Sequence, residues 1–251
     1  MFFKDFTASV RAFGQAFALI NQLKLWKYFF VPIIIGLITG IVIIAAAWFL
    51  ADPIGEKISS AWPFDLWKDA ILSISKFIGG LLVVIFGVVI FKHVVMAFSA
   101  PFMTPLSEKI EIHITGKELN KTDTPKEFMA ALVRGIRINI RNLVMEILIT
   151  LPLLILSLIP VLNLFTAVML IAVQAYYAGY GNMDYTLERY FNYNETKKFL
   201  RENKGIAIGN GFVFHLILLI PVVGIALALP LSAVAATTQT IQKLKSYSPV
   251  R

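Results

Sequence analysis

Two long, uncharged apolar stretches, each interrupted by nearly the same turn, restrict this chain more than any other feature. Ile147–Met183 carries Leu158-Ile159-Pro160-Val161-Leu162-Asn163, and Gly205–Gln242 carries Leu219-Ile220-Pro221-Val222-Val223-Gly224. At about 1.5 Å per residue, a single helix of roughly 37 residues is about 55 Å long, against a hydrocarbon core of about 30 Å. Two full crossings and a turn need roughly 40 residues or slightly more. Each stretch is therefore predicted to be a helical hairpin folded at its proline, its arms crossing the bilayer barely or only in part. Proline suits a tight turn because its φ is fixed and it has no N–H. Asn163 and Gly224 tolerate the left-handed conformation that ends a helix. The alternative is a proline kink in one tilted helix. Length and turn chemistry together favour the hairpin.

The rest of the chain supports an all-α integral membrane protein, read as a single membrane domain over residues 1–251. The chain is 58% hydrophobic with a mean hydropathy of +0.76, outside the usual soluble range. Residues 1–22 place Phe2, Phe6, Val10, Phe13, Phe17 and Ile20 at steps of three and four, which predicts an amphipathic helix lying in the membrane interface. No uninterrupted apolar core precedes a small-residue cleavage site there, so this segment does not read as a signal peptide. A first transmembrane helix is expected over residues 24–51, with Gly36 and Gly40 as a small-xxx-small contact. A second is expected over 70–100, broken by Pro101 and Pro105. Between them lies a polar connection with Trp62 and Trp67 at the water–lipid boundary. A polar helical region over 101–146 then leads into the hairpins at 147–183 and 205–242. Within it Gly116–Thr124 reads as an exposed loop, Ser107-Glu108-Lys109 as a helix start, and Thr124-Pro125-Lys126-Glu127 as another.

Charge sets orientation and narrows partners. The net charge of +8 fits basic loops beside anionic lipid rather than a nucleic-acid surface, because the apolar spans already require a bilayer. In the connection Asp52–Asp69, acids outnumber bases, and it is the connecting segment poorest in Lys and Arg. The amino and carboxyl termini are both predicted to be cytoplasmic. Uncharged turns at half depth expose backbone that lipid cannot satisfy, which points to a homo-oligomer or a pore.

Signatures of catalytic chemistry are sparse. The absence of cysteine excludes disulfides and thiolate sites. There is no phosphate-binding Gly-x-x-x-x-Gly-Lys-Ser/Thr loop and no His-Glu-x-x-His. The chain reads as a non-enzyme with no cofactor and no metal. A hydrolase using His215 with Ser232 has the least support. The basic groups are more informative. Lys24 and Lys27 precede the first span, where helix N–H groups favour an anion, or they anchor lipid headgroups. Arg134, Arg137 and Arg141 share one helical face. That face lines an anion path or lies along lipid phosphates. Glu108 and Glu111 form either a charge network at a pore mouth or a solvated cap.

Several of these residues fall in a recognisable pattern. Ser99-Ala100-Pro101-Phe102, then Leu106, Glu108, Glu111 and Thr115-Gly116, are followed by Asp184-Tyr185, Gly211, both Ile-Pro turns, and Pro230 through Ala236-Thr237. In this order and spacing the chain resembles the CysZ-like bacterial sulfate permeases and their relatives, the etoposide-induced membrane proteins. The resemblance implies long spanning helices with partly penetrating hairpins, assembled as an oligomer in the bacterial inner membrane. It implies sulfate uptake for cysteine biosynthesis without ATP hydrolysis. The alternative is a non-transporting membrane-shaping or scaffold protein. Sulfate binding in the family uses a Gly-hydrophobic-Arg-Arg-like turn before the first span. Here that segment is Lys24-Leu25-Trp26-Lys27, without the glycine or the arginine pair. The expected anion-binding residues are thus Lys24, Lys27, Arg134, Arg137 and Arg141. Glu108, Glu111, His113 and Asp184 are the expected gating or charge network.

Overall fold

The computed structural model describes residues 2–62, 67–117, 124–220 and 223–246, and is all-helical. In chain order the helices are α1 (Phe2–Gln22), α2 (Phe30–Ser59), α3 (Lys68–Thr115), α4 (Pro125–Ser157), α5 (Pro160–Leu187), α6 (Tyr193–Glu202), α7 (Lys204–Leu218) and α8 (Val223–Ser246), with a 3-10 turn at Leu25–Phe29. That turn with α2, and α3, α4, α5 and α8, are long and apolar enough to cross a membrane. Most of the expected loop Gly116–Thr124, Asp65 of the acidic connection, Pro221 and Val222 of the second turn, and Arg251 lie outside the described residues.

Two compact units share the chain. One comprises Ile34–Val95, and the other comprises Met1–Ile33 with Met96–Arg251. Within the first, α2 and α3 run antiparallel through glycine contacts. A Cβ on Gly87 would meet Ile43, one on Gly79 would meet the Ala51 carbonyl, and one on Gly55 would fall 2.5 Å from the Lys76 backbone. Lys76 also pairs with Asp52 at 3.1 Å. The expected contact at Gly40 is not made, because that glycine faces open space.

In the second unit, α7 is small on two sides. Ala207 and Gly211 meet Ala175 and Gly179 of α5. A Cβ on Gly179 would lie 1.8 Å from the Ala207 carbonyl oxygen, and one on Gly211 would lie 1.8 Å from that of Ala175. Small residues four apart on both helices let the backbones touch, a contact that side chains would forbid. Gly205 and Gly209, on another side of α7, receive the Phe2 and Phe6 carbonyls of α1, and Ser9 Oγ donates to the Ile206 carbonyl at 3.1 Å. α1 therefore packs on α7 and α8 through Ser9, Ala12, Ala16 and Ile20. Of the aromatic face expected to guide it, Phe2 and Phe17 remain exposed, while Ile20 is buried and the Phe6 ring lies 6.0 Å from that of Phe212 on α7.

Three expectations are corrected. The helix over 70–100 does not end at its prolines: α3 continues through Pro101 and Pro105 to Thr115, so Ser107-Glu108-Lys109 is mid-helix. Pro101 leaves the Ala97 carbonyl without its usual donor, and Gly135 of α4 sits directly against that carbonyl. Neighbouring helices make an interior proline tolerable in a membrane protein in this way. Likewise α2 passes Pro53 and reaches Ser59, beyond the expected end at 51. Finally, Asn163 and Gly224 are helical, not left-handed. The first turn is only Leu158 and Ile159, and Pro160 starts α5, where a missing N–H costs nothing. Gly224 serves close approach instead, since a Cβ there would lie 2.3 Å from the Ile217 carbonyl oxygen. The hairpin itself is present: α4 and α5 are separate helices joined by a tight turn.

Candidate functional site

The longest polar network begins on α3. Ser107 and Glu111 are one helical turn apart, so both reach the same side. Glu111 is 1% exposed and accepts two bonds from Arg189, at 2.7 and 2.9 Å. Tyr190 Oη also donates to it. The Arg189 guanidinium donates to Ser107 Oγ at 2.8 Å and to the Tyr185 carbonyl at 2.7 Å. Ser107, Thr186 and Thr237 close a hydroxyl triangle with sides of 2.9, 3.0 and 3.0 Å, tying α3, α5 and α8 together. Burial first, then the hydrogen bond and charge of Glu111, push the Tyr190 hydroxyl up to about 12.

A second network lies one turn away. Arg134 holds Asp184 with both ends of its fork, at 3.0 and 2.7 Å, and also donates to the Phe191 carbonyl and to Thr196 Oγ1. The Thr196 and Phe191 contacts tie the start of α6, set by the Asn192 capping box, to α4. Glu188 lies 3.9 Å from Arg134 and accepts from Thr104 Oγ1. Its pKa is raised to about 7 by burial first and the Asp184 charge second, against the Thr104 bond and the Arg134 and Arg189 charges. Thr104, Glu108, Arg134, Glu188 and Arg189 all border a cavity of about 790 Å³ between α3, α4 and the end of α5.

The third cluster is cationic. Leu25 and Phe29 are buried and anchor the 3-10 turn, which leaves Lys24, Trp26 and Lys27 facing outward. Trp26 packs against Phe17 and Phe29, with ring centroids 5.8 and 4.9 Å away. Lys24 has φ 53°, a left-handed conformation without glycine. The Lys27 ammonium lies 5.4 Å, and that of Lys109 5.7 Å, from the centre of the Tyr28 ring. Among the described residues no carboxylate pairs with Lys24, Lys27 or Lys109.

The expected site residues thus separate. Lys24 and Lys27 stay together and gain Lys109. Arg134 and Asp184 neutralise each other. Arg137 sits 4.6 Å over Tyr193, and Arg141 sits 4.9 Å over Tyr180 while donating to Asn142. Glu111 joins the Arg189 network, and Glu108 borders the cavity. His113 is exposed near the end of α3, outside the hydrogen-bonded core of either network. His215 Nδ1 donates to the Gly211 carbonyl at 2.7 Å. Lys109, Arg189, Glu188 and Thr104 belong to no motif, and only Lys109, next to Glu108 within α3, carries a signal in the sequence.

Five membrane-length helices and a core crossed by buried ion pairs define a multi-pass, all-α integral membrane protein. The model of the family described as sulfate transporter CysZ/etoposide-induced protein 2.4 matches residues 12–228, and the chain belongs to that family. A sulfate transporter CysZ of Pseudomonas fluorescens (strain Pf0-1) is 27% identical over 186 residues, covering 69% of this chain and 74% of the relative. Another of the same name, from Pseudomonas aeruginosa (strain LESB58), is 30% identical over 158 residues, covering 62% of this chain and 64% of that protein.

Proposed function

We propose that this chain carries an inorganic oxyanion, sulfate first, across the bacterial inner membrane through an oligomeric, channel-like assembly without ATP hydrolysis. Sulfate comes from the names of its relatives. The observation that carries the site is the lysine cluster at Lys24, Lys27 and Lys109, which no carboxylate pairs among the described residues. A divalent anion sheds water only where several cations or N–H donors converge. Lys27 and Lys109 share the Tyr28 ring, and Lys24 precedes the same turn, so the cations of that combination come from this cluster. Lysine offers point charges in place of an arginine fork, which favours capture over rigid orientation.

Arg134 acts as a strut in this reading, not as an anion ligand, because Asp184 occupies it. The Glu111–Arg189 and Arg134–Asp184–Glu188 networks set the potential along the cavity and hold three helices in register. The ion pair between Asp5 and Lys243, at 3.3 Å, joins the first helix to the last. That supports both termini leaving on one side, assigned to the cytoplasm by the charge pattern.

Calorimetric titration of sulfate into the purified chain tests the site. The wild type gives saturable heat, and the triple variant Lys24→Ala/Lys27→Ala/Lys109→Ala gives none while keeping its helix content. Unchanged heat in the triple variant moves the site elsewhere.

A further inference from the structure

The face of α4 that carries Arg137 has no role in that reading. A helix returns to nearly the same direction after eleven residues, so Lys126 and Arg137 project from one side. Both border a cavity of about 730 Å³ with Met129, Val133 and Tyr193. Neither has a carboxylate partner among the described residues, and stacking on Tyr193 leaves the edge N–H donors of Arg137 available. The rim is apolar, with Met129 and Val133 more than half exposed. From there an exposed stripe continues on the same side through Ile140, Val144, Leu148, Leu151 and Ile155, at 50% to 69% exposure. From Arg137 to Ile155 it runs about 27 Å, close to the hydrocarbon thickness of the bilayer.

We propose that this face binds an anionic phospholipid, with its phosphate held at Arg137, Lys126 adding positive charge to the same cavity about 16 Å along the helix, and its acyl chains laid along the α4 stripe. Charge complementarity selects the headgroup. The apolar rim selects a lipid over a free oxyanion, because a bare ion gains nothing from Met129 or Val133. A phosphodiester carrying acyl chains uses both halves of the surface. The site is separate from the lysine cluster and does not depend on the transported substrate.

Native mass spectrometry of the full chain, released from detergent with phosphatidylglycerol or with phosphatidylcholine of the same acyl chains, tests it. The wild type should retain phosphatidylglycerol at roughly tenfold lower lipid concentration. Lys126→Gln/Arg137→Gln should abolish that preference at unchanged helix content. Equal retention of the two lipids by the wild type overturns the proposal, as does an intact preference in the double variant. If the double variant does not fold, Lys126→Gln alone, at an exposed position in the first turn of α4, must still lower the preference several-fold. Complete displacement of the lipid by millimolar inorganic phosphate or sulfate would mark a small-anion site and also overturn it. A changed oligomer mass with the lipid preference intact would make the face a contact between copies and overturn it too.

Discussion

Lys24 occupies a left-handed backbone position that costs a side-chain-bearing residue about 1 kcal/mol. Lys24→Gly should therefore raise the thermal unfolding midpoint in detergent, while Lys24→Val lowers it. A lower midpoint for the glycine variant would mean that the lysine side chain supports the turn. Glu111 shows the opposite economy. Its carboxylate is buried against Arg189, so Glu111→Gln leaves an uncompensated guanidinium and should destabilise the chain by about 3 kcal/mol or more. Denaturant unfolding reads this directly. Glu188 adds pH dependence. Its value of about 7 in the folded chain exceeds the ordinary 4.5, so between those pH values the folded state holds a proton that the unfolded state has lost. Its contribution to stability is full below about pH 4.5 and disappears as pH rises through about 7. On the order of 1–3 kcal/mol should be lost over that range, and Glu188→Gln should flatten the profile. An unchanged slope in the glutamine variant would assign the dependence to another group.

At the scale of elements, the decisive contacts are backbone on backbone. Gly179→Ala must part α5 from α7, and a loss of at least about 2 kcal/mol is expected, read as a lower unfolding midpoint. Gly40→Ala, facing open space, should be neutral or slightly stabilising. These two glycines show what sequence reading reaches and what it misses. Hydropathy and length found the membrane-length helices, because burial in lipid acts on whole segments. They misplaced the ends of α2 and α3, because a proline breaks an isolated helix but not one whose freed carbonyl meets a neighbour such as Gly135. Small-residue spacing is present at Gly36–Gly40 and at Ala175–Gly179 alike, and only the tertiary arrangement shows which pair is used. The basic turn at Lys24–Lys27 was legible because four consecutive residues form it. Lys109 and Arg189 were not, because their partners are far away in sequence.

For the whole molecule, the depth of the first hairpin and the transport activity are open to direct measurement. The chain lacks cysteine, so one introduced residue reports alone. Asn163→Cys sits at an exposed position one turn into α5 and should resist a membrane-impermeant thiol reagent applied from outside if the hairpin stops midway. Gly224→Cys is unsuitable for the second hairpin because its side chain has no room, and Leu219→Cys, 77% exposed, takes its place. α7 runs about 22 Å, less than the hydrocarbon core of about 30 Å, and the same shielding is expected at this position if the second hairpin stops midway. The central claim is oxyanion passage through this helical assembly. Radiolabelled sulfate uptake into liposomes holding the purified, folded chain tests it most directly. Uptake well above that of protein-free liposomes, lost in the Lys24/Lys27/Lys109 triple variant, is the predicted result. Uptake equal to that of empty liposomes would contradict it.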